Sequence, residues 1–203
     1  MKIIAIGRNY AAHVKELNNP IPQSPVIFLK PDTAVLKDNK PFYIPEFSSD
    51  IHYELEVVLK ICKEGKHISE KFAPNYYEEM GLGIDFTARD IQTLHKEKGL
   101  PWELAKAFDN SAVISTFVPK SQFKDVYNLE FELKINNENR QTGNTKDMLF
   151  PFERIISFVS QYITLKKGDL IFTGTPEGVG KVNPGDKLEA WLSGQQLLNF
   201  DIK

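Results

Sequence analysis

Apolar and polar positions alternate most regularly between Ile51 and Ile61. Tyr53, Leu55, Val57, Leu59 and Ile61 fall on one face, and His52, Glu54, Glu56, Val58 and Lys60 on the other. Successive side chains of a strand point to opposite faces, so the pattern predicts one long strand with its apolar face on a core. Leu129, Phe131, Leu133 and Ile135 repeat the alternation, and Asn136-Asn137-Glu138-Asn139 predicts a hairpin loop after them. Short apolar runs at 3–6, 25–29, 42–44, 80–86, 170–172, 187–192 and 196–202 read as further strands. Phe152, Ile155, Ile156, Val159 and Tyr162 recur at helical spacing and predict an amphipathic helix over 151–162. Asn9 suits the N-cap of a short helix over 10–17, stopped by Asn18-Asn19-Pro20. Thr87 suits the cap of a helix over 88–98, stopped by Gly99. The strands are not separated by regular helices, which disfavours a doubly wound parallel sheet. The chain reads as one α+β, mainly β domain over 1–203, a roll with a few peripheral helices.

Composition narrows the partners. Of 203 residues, 41% are hydrophobic and 26% charged, ordinary values for a folded chain. Lys and Arg number 25 against 27 Asp and Glu, so no basic excess favours a nucleic-acid backbone. No apolar stretch approaches the roughly 18 residues of a membrane span. The single cysteine, Cys62, sits in an apolar strand pattern and reads as buried packing. It excludes a multi-thiolate zinc site and suits a reducing cytoplasm.

Candidate chemistry concentrates in a few places. Glu54 and Glu56 are two apart, so a strand would put both carboxylates on one face, about 7 Å apart at Cα. Two adjacent acids repel unless something neutralises them. A bound cation is one solution and a solvated polar face is the other. Asp85 ends an apolar run just before a predicted helix, where it serves either as a third ligand or as a capping acid. Three carboxylates without a Cys or His cluster suit a hard cation, Mg²⁺, Mn²⁺ or Ca²⁺. His13 and Glu16, three apart on a helix, form either a base held by an acid or a surface ion pair. Arg89 and Gln92 share a helix face in the same way, and Lys106 lies in an unusually apolar setting. Residues 173–180, Thr-Gly-Thr-Pro-Glu-Gly-Val-Gly, are not a phosphate-binding Walker loop, because Val179 stands five positions after Gly174. Such a turn could still hold a substrate carboxylate.

Six segments in order carry a more specific signal. They are Gly7-Arg8-Asn9-Tyr10-Ala11-Ala12-His13, the run from Pro25 to Pro31, Tyr53-Glu54-Leu55-Glu56, Asp85-Phe86-Thr87-Ala88-Arg89-Asp90, Gly99-Leu100-Pro101-Trp102 with Ala105-Lys106, and Thr173-Gly174-Thr175-Pro176 with Gly178-Val179-Gly180. The ordered set resembles the fumarylacetoacetate hydrolase family, closest to its short single-domain acylpyruvate hydrolases and oxaloacetate decarboxylases. The resemblance implies a mixed β-sandwich roll, a homodimer, and Mg²⁺ or Mn²⁺ on Glu54, Glu56 and Asp85. It implies that His13 and Glu16 activate water from a short lid helix and that Lys106 contacts bound substrate near the metal. Arg89, Gln92, Thr175, Gly174 and Lys30 match positions around the substrate. The implied activity is C–C cleavage in a 2,4-dioxo or β-keto acid: acylpyruvate hydrolysis, oxaloacetate decarboxylation, or both, through an enolate. An isomerase or tautomerase of 2-oxo diacids would use the same site. A non-catalytic roll that binds a metal or small acid would leave the His13–Glu16 pair without a purpose.

Overall fold

The computed structural model describes residues 1–17 and 20–203, so Asn18 and Asn19, part of the expected helix stop, lie outside the described residues. The largest sheet runs Val26–Lys30, Ile3–Gly7, Leu170–Phe172, Leu55–Ile61, Tyr77–Asp85, Ala112–Ile114 and Val35–Leu36, with Val118–Pro119 also paired to Tyr77–Asp85. Ile3–Gly7 pairs parallel with Leu170–Phe172, and Val35–Leu36 parallel with Ala112–Ile114; the other neighbours are antiparallel. A second, antiparallel sheet orders Glu138–Asn144, Glu130–Ile135, Lys187–Leu192 and Gln195–Asp201. Leu55, Val57 and Leu59 of the first sheet share one core with Phe131, Leu133, Leu188 and Leu198 of the second. The result is the mainly β roll with few helices read from the pattern.

The expected strand over 51–61 is two strands in two sheets. Ile51–Tyr53 joins a small sheet with Gly180–Lys181 and Thr87–Ala88, and Leu55–Ile61 joins the large one. The break falls at Glu54. Beyond it, the Leu55 N–H donates at 2.9 Å to the side-chain oxygen of Gln141 rather than to a neighbouring strand. The second face is not solvated either: Val58 packs with Ile3, Ala5, Leu170 and Phe172 in a smaller apolar cluster. The approach there is close. A Cβ at Gly83 would lie 2.4 Å from the Phe172 ring, so only glycine fits.

Four α-helices occur among the described residues: α1 Ala11–Glu16, α2 Arg89–Lys98, α3 Glu103–Lys106 and α4 Phe152–Tyr162. Neither expected cap holds. Tyr10 precedes α1, and the Asn9 amide instead donates to the Thr173 and Phe150 carbonyls at 2.7 and 3.0 Å. Thr87 is tied into the Thr87–Ala88 strand, and Ala88 precedes α2. Gly99 does end α2, in the left-handed region at φ 64°. Tyr162 lies at the edge of the apolar stripe of α4 and is 65% exposed, unlike the rest of the predicted face. The segment 42–44 pairs parallel with 201–203 at a single bridge, Phe42 to Ile202, where the Phe42 and Ile44 N–H groups donate to the Asp201 and Lys203 carbonyls, both at 2.9 Å. The hairpin turn is shorter than expected: Asn136 and Asn137 alone turn it, at φ 53° and 68°, and Ile135 already pairs with Glu138. Cys62 lies just past the end of its strand, partly exposed, with its Sγ 3.5 Å from the Asn75 carbonyl; it is not buried packing. No described helix is long and apolar enough to cross a membrane.

Candidate active site

Strand register brings the acids together. Leu55 pairs with Ile84, so Glu54 stands opposite Asp85, and the Asp85 N–H donates to the Glu54 carbonyl at 2.9 Å. Opposed residues of paired strands share a face, and Glu56 shares it by the two-residue repeat. Carboxylate oxygens of Glu54, Glu56 and Asp85 lie within 4.8 Å of one another, and all three residues are buried.

Basic groups hold two of them. Lys106, at the end of α3, directs its three N–H donors to Glu54 Oε2 at 2.7 Å, Asp85 Oδ2 at 2.7 Å and Thr87 Oγ1 at 2.5 Å. Arg89 donates to Glu54 Oε1 at 2.6 Å and to Gln92 at 2.6 Å. Burial acts to raise the Glu54 pKa, but Lys106 and Arg89 outweigh it and hold the carboxyl well below its usual range. Among the described residues Glu56 has no such partner. It accepts the Gly174 N–H at 2.6 Å, and burial together with the Asp85 and Glu54 charges pushes its pKa well up. A buried carboxylate lacking a cation, beside two others and with no nitrogen or sulfur donor among the three, fits a hard divalent metal.

His13 lines the same cleft, with its Nδ1 3.0 Å from Glu16 Oε2. The other Glu16 oxygen accepts the Gly178 N–H at 2.9 Å, which ties α1 to the glycine-rich turn. Arg89, Gln92, Lys106 and Thr175 also line the cleft. Thr175 Oγ1 accepts from Gln141 Nε2 at 2.9 Å, which leaves its own O–H to donate.

Two expected substrate contacts lie elsewhere. Lys30 is buried behind Asp85: its ammonium reaches Asp85 Oδ1 at 2.6 Å, Ser111 Oγ at 3.0 Å and the Lys106 carbonyl. It fixes a carboxylate and does not line the cleft. Gly174, at φ 103°, serves through its N–H on Glu56, and a Cβ there would meet Asn9 at 2.6 Å. Gln141, Asn9 and Thr87 are structural parts of the site that the sequence pattern does not reveal. Arg8 and Lys96 also line the cleft. The spacing of Lys96, four after Gln92, would have found it. A hollow of about 530 Å³ walled by Phe47, Ile91, Leu104 and Phe108 is far larger, and among the described residues Glu103 is its one titratable group.

The chain is similar to known proteins along nearly its whole length. Oxaloacetate tautomerase FAHD1, mitochondrial, of Homo sapiens is 43% identical over 201 residues, covering 99% of this chain and 91% of that protein. The mitochondrial oxaloacetate decarboxylase of Dictyostelium discoideum is 43% identical over 203 residues, covering 99% of this chain and 93% of that protein. Fumarylpyruvate hydrolase from Pseudomonas aeruginosa, solved with Mn²⁺ and pyruvate, matches with a TM-score of 0.94 at 34% identity, covering 100% of this chain and 89% of that one. The family profile described as fumarylacetoacetate (FAA) hydrolase C-terminal matches residues 2–202. With that match spanning nearly its whole length, the chain belongs to the fumarylacetoacetate hydrolase family.

Proposed function

We propose that this chain is a divalent-metal-dependent enzyme of 2-oxo acids that carry a second carbonyl group at C4, and that it breaks their C3–C4 bond. The observation that carries this reading is the convergence of three buried carboxylates and the His13–Glu16 pair on one cleft. Glu54, Glu56 and Asp85 would hold Mg²⁺ or Mn²⁺. Bound there, the cation supplies Lewis-acid stabilisation for negative charge developing on the 2-oxo oxygen. The relative solved with Mn²⁺ and pyruvate supports both the metal and the product class.

With an acylpyruvate, His13 takes a proton from water while Glu16 stabilises the imidazolium. The oxygen of that water adds to C4, and the C3–C4 pair passes to C3, which is then protonated. The products are pyruvate and a carboxylic acid. With oxaloacetate, the C4 carboxylate leaves as CO₂ without attack by water, and C3 is protonated to pyruvate. Arg89, Gln92 and the Thr175 hydroxyl orient the substrate, and Lys106 contributes positive charge beside it. A second reading, keto–enol tautomerisation of oxaloacetate, is favoured by the name of the human relative and needs only proton transfer at C3.

Chelator-treated protein should form no pyruvate from oxaloacetate or acetylpyruvate until Mg²⁺ or Mn²⁺ is restored. If enol oxaloacetate disappears without pyruvate forming, the tautomerase reading is correct. Folded protein that does none of these with metal overturns the proposal. A homodimer is also proposed, supported by the exposed Phe47 and Leu104 around the apolar hollow; light scattering that finds a monomer would overturn it. The one free thiol, Cys62, suits a reducing compartment such as the cytoplasm.

A further inference from the structure

Arg89, Gln92 and Lys96 recur three and four residues apart on α2 and so share the face turned to the cleft. The positive charges nearest the carboxylates are already matched. Lys106 is shared between Glu54 and Asp85, Lys30 lies on Asp85, and Arg89 lies on Glu54. Arg8 and Lys96 line the same cleft, and among the described residues no ion pair to a carboxylate uses either.

Each is placed at the cleft by its backbone. Arg8 directly follows the Ile3–Gly7 strand, with its backbone in the left-handed conformation at φ 61°. The Lys96 ammonium sits 5.6 Å from the centre of the Trp102 ring, which itself packs 6.0 Å from Phe28. Partial burial, with the charges of Arg89 and Arg8, pushes the Lys96 pKa down to about 8. Cations gathered in a half-buried cleft repel one another until an anion joins them.

We infer that Arg8 and Lys96 form a second carboxylate-binding subsite, which selects 2-oxo acids ending in a carboxylate over those ending in a neutral group. The inference rests on reading the cleft as a 2-oxo acid site and goes further by naming which end of the substrate is recognised and by what. A 2-oxo diacid presents one carboxylate beside its 2-oxo group and another at its far end. The metal site would serve the first, and Arg8 and Lys96 the second. An acyl group ending in a methyl would leave both cations unmatched.

The test is equilibrium binding by calorimetry to Mn²⁺-loaded protein, with 2-oxoglutarate and 2-oxopentanoate as probes. The two acids have equal chain length and differ at the far end, and neither is a β-keto acid that could be cleaved. Wild type should bind the diacid about tenfold or more tighter, the worth of one to two charge-assisted contacts. Arg8→Gln and Lys96→Gln should each remove most of that preference while affinity for 2-oxopentanoate stays within about twofold, which also certifies a folded site. Lys96→Arg should keep the preference. Equal affinity of wild type for the two acids, no binding of either, or equal weakening of both by Lys96→Gln would overturn the subsite. Failure of the proposed activity is read separately, as absence of turnover of oxaloacetate and acetylpyruvate by the same wild-type preparation.

Discussion

Glu16 holds His13 through one carboxylate oxygen, 3.0 Å from Nδ1, and accepts the Gly178 N–H through the other at 2.9 Å. One acid therefore does two things. It sets the imidazole with Nδ1–H toward itself, which leaves Nε2 as the basic nitrogen, and it fastens α1 to the turn that carries Thr175 and Gly174.

His13→Ala is accordingly expected to lower kcat for acylpyruvate hydrolysis by about 10²–10⁴-fold, the usual worth of a general base. Metal affinity should stay unchanged. Glu16→Gln should lose less, because the imidazole remains and the one amide oxygen still accepts from one of the two donors. Steady-state kinetics beside a Mn²⁺ titration separate the roles: weakened Mn²⁺ binding in His13→Ala would make the histidine part of the metal shell.

Glu56 supplies a second prediction, through stability. Its carboxyl is buried, is pushed toward the neutral form by burial and by Asp85 and Glu54, and among the described residues accepts a hydrogen bond only from the Gly174 N–H. Glu56→Gln keeps an acceptor for that N–H and removes the charge. In chelator the variant should be more stable than wild type by about 1–3 kcal/mol, the scale of an uncompensated buried polar group. Added Mn²⁺ should raise the melting temperature of wild type but not of the variant. Thermal melts with and without metal decide it; a variant less stable than wild type in chelator would mean that the carboxylate is already well matched.

Periodicity made much of this site legible. The two-residue repeat put Glu54 and Glu56 on one face, and the three-residue step did the same for His13 with Glu16 and Arg89 with Gln92. The break at Glu54 was hidden because the alternation runs through it without a fault, and the partner of the next N–H, that of Leu55, is Gln141, 86 residues on from Leu55. Lys30 and Gly174 could be assigned to the region but not to a partner. Which carboxylate each one touches depends on how remote segments dock, and local pattern carries no such information. The caps failed for the same reason, since tertiary partners claimed Asn9 and Thr87.

Acid sensitivity should have a source outside the cleft. Asp169 is held by the Lys2 side chain and by the backbone N–H groups of Lys2 and Lys166. Burial acts to raise its pKa, but these hydrogen bonds outweigh it and hold the group below its ordinary value. A carboxyl with a lower pKa folded than unfolded adds stability above the unfolded value, about 3.9, and loses it as pH falls through the folded value. Asp169→Asn should therefore reduce stability at neutral pH and flatten its decline in acid. Urea midpoints from pH 7 down to pH 3 measure this, and parallel curves for the two proteins would assign the acid response to other groups.

Lys30 distinguishes a structural lysine from a substrate contact. Its ammonium is sealed against Asp85, Ser111 and the Lys106 carbonyl, and burial lowers its pKa while Asp85 opposes the change. Removing one member of a buried pair strands the other's charge, which costs about 3–5 kcal/mol. Lys30→Met should thus lower the denaturation midpoint sharply and loosen Asp85, weakening Mn²⁺ binding. KM for substrate, measured at saturating metal, should move little. A contact residue would give the reverse: stability and metal affinity close to wild type with a raised KM. Lys30→Met in an Asp85→Asn background should cost less than in wild type, because the stranded charge is gone. A double-mutant cycle on folding stability gives that coupling, and additive losses would mean that Lys30 supports the fold by packing alone.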